Sequence, residues 1–178
     1  MSSVDSDGGV ETLQDDLSQQ VAALHSRLHL TNVRVQRLRA ESMEDPPFDV
    51  HSIQIEGGPC EVLFEPPRFA VRVNQVVVLR DADEGALAEV EVGLIIDYTI
   101  DDGPEPSEDA VGTYVESNTY FTAHPYLRET LQNATLKLGL EPVVLGILSR
   151  DRPRPTEITL VRRAPDPSGV TISALLES

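Results

Sequence analysis

The sequence is poor in sulfur and in aromatic residues. It has one cysteine, no tryptophan, four phenylalanines and four tyrosines among 178 residues. Because Cys60 is the only cysteine, the chain cannot form an intrachain disulfide, and we expect a reducing compartment. Cys60 lies among strand-like residues, so we predict that it belongs to the core.

Basic residues are also scarce. The sequence has 14 lysines and arginines against 30 acidic residues, which gives a formal net charge of -16. Such a surface repels phosphate backbones and anionic lipid headgroups, so the charge argues against nucleic acid and membrane surfaces as partners. A second interpretation stays open, which is that the charge only keeps the protein soluble and apart from its copies.

The sequence has no apolar run long enough to span a bilayer, and its acidic first residues lack the basic and apolar regions of a signal peptide. We therefore expect a cytoplasmic protein without membrane insertion. The length favours one domain. We predict a disordered leader at 1–10, a single domain at 11–148, and a proline-rich tail of uncertain order at 149–178. Within that tail, residues 158–161 and 170–176 could form short strands, a helical turn, or an arm that orders on a partner.

An amphipathic helix is predicted at 11–28. Its apolar stripe recurs at helical spacing and consists of Leu13, Leu17, Val21, Leu24 and Leu28.

A sheet is predicted at 29–101. In the first strand, near 33–40, apolar and polar residues alternate with one phase slip, which is typical of a bulge. Glycine and proline then separate two short segments, 50–55 and 60–64, of which one or both form a second strand. Apolar residues occupy odd positions in 69–79 and even positions in 88–100, which predicts a long antiparallel hairpin. The second strand of this hairpin, which is the fourth strand of the sheet, should have an acidic outer face that is exposed to solvent.

A helical part is predicted at 110–148. Leu127, Leu131, Ala134 and Leu138 recur at helical spacing, which indicates a helix over roughly 125–138 with a looser helical stretch before it. Pro125 suits its first turn, and Gly139 suits its end.

No catalytic constellation is recognisable. The sequence lacks a glycine-rich phosphate loop, a nucleophile elbow and a Cys-x-x-Cys pair. His25 and His29 have helical spacing but no nearby third metal ligand. We therefore expect a protein that is not an enzyme, with no catalytic residues, no metal and no cofactor.

Half of the eight aromatic residues lie within thirteen positions, from Tyr114 to Tyr126. Together with the apolar residues up to Leu148 they form more apolar surface than one helix needs to cover one face of a sheet. Two interpretations stay open: part of this surface is exposed for binding, or all of it is core and subunit interface.

The block His124-Pro125-Tyr126-Leu127-Arg128-Glu129 behind four predicted strands resembles the SecB family of export chaperones. The stretch Leu138-Gly139-Leu140-Glu141-Pro142-Val143 and the tripeptide Ala88-Glu89-Val90 resemble other motifs of that family. The resemblance covers about residues 28–148. It implies an α+β fold, a four-stranded antiparallel sheet with helices on one face, here preceded by an extra N-terminal helix.

The resemblance also implies a function. SecB proteins are ATP-independent, assemble as a dimer of dimers, and hold unfolded chains in apolar grooves beside the helix. We expect client binding by Tyr120, Phe121, Tyr126, Leu127, Leu140, Val143, Val144, Leu145 and Ile147.

The expected partners are an unfolded preprotein or a dedicated antitoxin, with Glu89 and Glu91 on an acidic sheet face that docks the translocase motor. Asn32 and Gln36 stand where the family has acidic residues, so that docking surface is half matched. The added N-terminal helix and the proline-rich tail resemble the SecB-like chaperones linked to toxin–antitoxin systems. The alternative is a non-catalytic structural or assembly protein whose aromatic cluster is a permanent oligomer interface.

Overall fold

The computed structural model describes residues 8–45, 48–141, 143, 155 and 157–162. In chain order, its elements are α1 (Gly8–Arg27), β1 (Leu28–Ser42), β2 (Ser52–Glu65), β3 (Arg68–Arg80), β4 (Ala86–Ile100), α2 (Glu108–Tyr114), a π-helical turn (Val115–Thr119), α3 (Tyr120–Lys137) and β5 (Ile158–Arg162).

The five strands form one sheet in the order β1-β4-β3-β2-β5. The first four strands are antiparallel neighbours, whereas β5 runs parallel to β2. The predicted α+β class is therefore confirmed, and the predicted count of four strands is corrected to five. The fifth strand forms because Ile158 and Leu160 alternate with exposed residues and pack against the core from the sheet edge.

The sheet has register shifts in β1 and β2, of which only the one between Val35 and Arg37 corresponds to the predicted phase slip. In β1 the register shifts between Leu30 and Asn32 and again between Val35 and Arg37. Both segments predicted for the second strand belong to β2, which continues through a register shift between Gly57 and Cys60. A side chain at Gly58 would place its Cβ 3.0 Å from the Cβ of Asn74, so a larger residue at this bulge would require Asn74 to shift.

The core lies between one face of the sheet and the helices. The register places the apolar odd positions of β3 and even positions of β4 on the same face, where they are buried. Helix α3 packs its inner stripe on that face, and Leu24 contributes from α1. The inner stripe of α3 consists of Tyr120, Ala123, Leu127, Leu131, Ala134 and Thr135.

The helical part begins earlier than predicted. Ser107 caps α2 by accepting a hydrogen bond from the backbone N–H of Ala110 at 3.2 Å, and helical structure then continues through the π-helical turn into α3. Pro125 consequently lies inside α3, not in a first turn as predicted. Tertiary packing of the residues on both sides of Pro125 overrides its preference for a helix start.

The predicted end of α3 is confirmed. Gly139 has φ +78°, and its N–H donates to Leu136 O while the N–H of Leu140 donates to Thr135 O. These two bonds satisfy carbonyls of the last turn, and the positive φ favours glycine.

The predicted disordered leader at 1–10 overlaps α1, whose backbone is helical from Gly8. Residues 1–7 lie outside the described residues, as does most of the predicted tail at 149–178.

Candidate functional site

An apolar strip on β1 is left uncovered by the helices. Leu30, Val35 and Leu38 pair with Tyr98, Leu94 and Val92 of β4, whose side chains face the core. Directly paired residues share a face, so these three β1 side chains lie on the helix side of the sheet. They are nevertheless 49%, 48% and 44% exposed. We call Leu30, Val35 and Leu38 the β1 strip.

A groove of about 350 Å³ lies between β1 and α3. Val33, Val35, Leu38 and Leu94 supply its apolar side, and α3 supplies Tyr126, which is 41% exposed. The polar residues of the α3 wall are Glu129, Thr130, Asn133 and Lys137. An apolar floor with a polar rim suits an extended polypeptide that inserts apolar side chains and keeps its polar groups in water.

Two predicted client-binding residues are core residues in this structure. Tyr120 and Leu127 are 3% and 2% exposed, because the period of α3 places both on the stripe that packs against the sheet. Sequence periodicity could not separate a binding surface from this stripe, since both are apolar.

Two of the predicted client-binding residues after α3 are also core residues. Leu140 and Val143 are buried in a second cluster with Leu79 and Ala88. The N–H of Val143 donates to the buried Thr135 Oγ1 at 3.1 Å, which holds this segment against the end of α3. Val144, Leu145 and Ile147 lie outside the described residues, so their predicted role stays a prediction.

Phe121 and Tyr126 lie on different faces of α3. Five residues at 100° each separate them by about 140° around the helix axis. Phe121 is 55% exposed and does not line the groove, whereas Tyr126 does. Of the predicted aromatic positions, Tyr126 therefore has the geometry that client binding in this groove needs.

The outer face of the sheet carries both signs of charge. Glu91 pairs with Arg37 at 3.1 Å, and Asp97 pairs with Arg68 at 2.7 Å and with Arg34 at 3.7 Å. The expectation of a largely wet, acidic face is corrected, since arginines of β1 and β3 neutralise these carboxylates. The predicted docking role of Glu89 and Glu91 stays a prediction.

The described residues offer little catalytic chemistry. They contain no group of three His, Cys, Asp or Glu side chains that could hold a metal ion. Cys60 is 1% exposed, and burial, together with the nearby charge of Glu61, raises the pKa of its thiol to about 12. Because the thiolate is the reactive form, Cys60 is not a nucleophile at neutral pH.

No helix in the described part of the chain is both long and apolar enough to cross a membrane.

Comparison with known proteins places these features in a family context. No family model matches the chain. Two curated proteins of Mycobacterium tuberculosis, SecB-like chaperone MT2006 of strain CDC 1551 / Oshkosh and SecB-like chaperone Rv1957 of strain ATCC 25618 / H37Rv, are each 26% identical to it. Each match covers 78% of this chain and 87% of the relative.

A solved structure has the same fold. It is the Mycobacterium tuberculosis Rv1957 SecB-like chaperone in complex with a ChAD peptide from the Rv1956 HigA1 antitoxin. Its TM-score is 0.65 at 22% identity, over 75% of this chain and 99% of that chain. The resemblance predicted from the sequence is thus confirmed: the chain is similar to the SecB-like chaperones of Mycobacterium tuberculosis.

Proposed function

We propose that the chain is an ATP-independent, non-catalytic chaperone that holds an unfolded antitoxin segment in the groove between β1 and α3. The β1 strip carries this proposal, because it exposes apolar side chains on the helix side of the sheet, of which Val35 and Leu38 line the groove with Tyr126. The bound antitoxin peptide of the related Rv1957 structure supports a polypeptide client and the choice of an antitoxin.

The groove suits weak binding with little sequence preference. Burial of apolar surface contributes about 25 cal/mol per Å², so about 300 Å² on the two partners together would contribute about 7.5 kcal/mol before ordering costs. Ordering an unfolded segment offsets several kcal/mol of that, which leaves a Kd of about a millimolar for one groove. Aromatic positions usually dominate such energies, so we assign the largest single contribution to Tyr126.

An oligomer interface is the second candidate use of the same surface. β1 is an edge strand of fifteen residues, and in the described part of the chain no strand lies beyond it. Such an edge favours pairing with another chain, and antiparallel pairing of two copies through β1 would form a two-fold interface. We propose a homo-oligomer, with the predicted dimer of dimers as its expected form.

Export is a further proposal. An unfolded preprotein would use the same groove, and delivery to the translocase motor would use Glu89 and Glu91 on the outer face of β4. A cytoplasmic location fits both client classes and a lone, buried cysteine.

Two serine substitutions on the same helix test the groove. Holding is measured as the delay in light scattering when a chemically denatured, aggregating client is diluted into the protein. Affinity is measured with a permanently unfolded fluorescent polypeptide. We expect Tyr126→Ser to weaken binding about tenfold, because it removes the aromatic contact in the groove.

Phe121→Ser is the matched control. It removes a more exposed aromatic side chain from the other face of α3 and should leave the affinity unchanged. Equal losses in the two variants would overturn the groove assignment. A wild-type protein that neither delays aggregation nor binds the polypeptide would favour the permanent interface.

A further inference from the structure

The fifth strand is short and covers the sheet edge opposite β1. β5 has five residues, and its pairing with β2 is the one parallel pairing among the strands that the structure describes; parallel pairing is less stable per residue than antiparallel pairing. Ile158 and Leu160 are half-buried against the core, whereas Thr159, Val161 and Arg162 are exposed. At its start, the N–H of Cys60 donates to Glu157 O at 2.8 Å.

The surface behind β5 is strongly apolar. Cys60, Val62 and Phe64 form the inner row of β2 at this edge and are all buried. If β5 left, the backbone groups of β2 that face it would lose their partners beside this apolar row. An edge of this kind binds an extended strand through main-chain hydrogen bonds and alternate side chains.

An exposed ionic clasp holds the far end of β5. The guanidinium of Arg162 lies 3.2 Å from Glu105 Oε1 through Nε, and its Nη2 donates to Pro106 O at 3.1 Å. The Arg162 and Glu105 side chains are 39% and 58% exposed, and such pairs contribute little in water.

The loop that carries Glu105 is itself fixed. Arg27 donates to the carbonyl oxygens of Asp101 and Pro104, and Ser107 Oγ donates to Gln20 Oε1 at 2.6 Å. The acidic half of the clasp therefore stays in place when β5 leaves.

We propose that β5 is a displaceable strand, which occupies the β2 edge in cis and competes there with an extended segment of another polypeptide. β5 defines the chemistry of that segment: two apolar residues at alternate positions, followed two residues later by a basic residue. The apolar pair replaces Ile158 and Leu160 on the core, and the basic residue replaces Arg162 beside Glu105. This edge lies at the opposite end of the sheet from the β1–α3 groove, so the inference does not depend on the proposed function.

Covalent connection makes β5 a strong competitor. Because β5 belongs to the same chain, its effective concentration at the β2 edge is on the order of a millimolar, so a free peptide at micromolar concentration gains access only when β5 is loosened. β5 thus suppresses binding at this edge, and any change that breaks its clasp increases it.

The test uses the full chain and a fluorescent synthetic peptide with the sequence of residues 157–162. Arg162→Ala should increase the affinity for this peptide about fivefold. The substitution removes the contact with Glu105 from β5, whereas the peptide keeps its own arginine. A peptide in which the residue corresponding to Leu160 is aspartate should not bind, since a carboxylate would face the apolar row of β2.

An engineered disulfide lock between β2 and β5 should have the opposite effect to Arg162→Ala, because it holds β5 in place. Glu61 and Thr159 are register partners on the outer face of β2 and β5, at a strand spacing that a disulfide can bridge. The double variant Glu61→Cys/Thr159→Cys should lose peptide binding at least tenfold on oxidation and regain it on reduction. Each single cysteine variant is its control.

Unchanged peptide affinity in both Arg162→Ala and the oxidised lock would overturn the proposal, as would equal binding of the aspartate peptide. Tyr126→Ser should leave peptide binding unchanged, and the lock should leave client holding unchanged. Failure at one edge is therefore distinguishable from failure at the other.

Discussion

The two edges of the sheet differ in length and in covering. β1 presents fifteen residues, and its apolar strip is about half exposed. At the other edge, five residues of β5 lie beside the inner row of β2, which is buried. Both edges carry similar apolar side chains on the helix side, so their exposure is decided by neighbouring elements. The helices pack over the middle of the sheet, β5 closes one edge, and the β1 strip remains accessible.

Thiol labelling should give the largest difference between the edges. Cys60 lies on the covered edge, whereas Val35→Cys would place a thiol on the β1 strip. At pH 8 a thiol with a pKa of about 12 is ionised about one part in ten thousand, and an ordinary thiol more than a tenth. We expect the introduced cysteine to react with a disulfide reagent at least a thousandfold faster than Cys60.

The pH dependence of labelling sharpens this prediction. Because burial raises the pKa of Cys60 in the folded protein, folding favours its thiol form. That contribution to stability is present below about pH 9 and is lost as pH rises towards 12. Native labelling of Cys60 should therefore keep rising above pH 9, whereas labelling of the introduced cysteine should level off. Equal rates at pH 8 would mean that the β2 edge is open.

Valine-to-alanine substitutions remove the same two methyl groups at each edge, so their effects on the free energy of unfolding can be compared directly. Val62 is fully buried on β2, so Val62→Ala should lower the free energy of unfolding by about 2 kcal/mol through lost burial and a residual cavity. Val35→Ala should change it by less than about 0.5 kcal/mol, since that side chain is half exposed. Urea unfolding measures both. A Val35→Ala loss as large as that of Val62→Ala would show that β1 is covered in a permanent oligomer.

The central strands of this sheet were predictable, but its edges were not. Alternation from Phe69 to Leu79 and from Ala88 to Ile100 predicts a hairpin with one buried face, and the structure has it. The same alternation cannot show which strand ends at an edge, because strand order depends on long-range pairing. The exposure of Val35 and Leu38 was therefore not predictable, although both were recognised as strand residues.

The candidate site was predictable only in part. The aromatic cluster of the sequence includes Tyr126, which lines the groove, but helix packing divides that cluster among the core stripe, the groove and the outer face of α3, and the binding role of Tyr126 stays a prediction. A short strand at 158–161 was one of the alternatives for the proline-rich tail, and β5 is that strand. Its position beside β2 and its contact with Glu105 are long-range features that no local pattern contains.

Serine substitutions at the two edges should separate client holding from strand displacement. Leu38→Ser removes a half-exposed leucine from the β1 strip, and we expect it to weaken client binding about tenfold. Ile158→Ser loosens β5 instead, and it should leave client binding unchanged while increasing affinity for the 157–162 peptide. Fluorescence titration of both probes against each variant measures the four affinities. A loss of client affinity in Ile158→Ser would mean that clients use the β2 edge.

The smallest effects are expected from single ion pairs at the two edges. Glu91 lies 3.1 Å from Arg37 of β1, with side-chain exposures of 21% and 60%, and Glu105 is paired with Arg162 of β5. Exposed pairs are screened by water and salt, so Glu91→Gln and Glu105→Gln should each lower the free energy of unfolding by about 0.5 kcal/mol. Urea unfolding at low and high salt measures this, and the differences should shrink as salt rises.

Glu91→Gln also tests the proposed docking role, because it removes a charge from the outer face of β4 while keeping the shape of the side chain. If the translocase motor binds there, Glu91→Gln should weaken its binding in a pull-down with purified motor while the urea midpoint hardly moves. The matched control is Glu105→Gln, which removes the same charge near the other edge and should leave motor binding unchanged. Unchanged motor binding in Glu91→Gln, or equal losses in the two variants, would exclude a specific contact at Glu91. A loss of unfolding free energy above about 2 kcal/mol would instead show that the Arg37 pair is buried, as in an oligomer that covers β1.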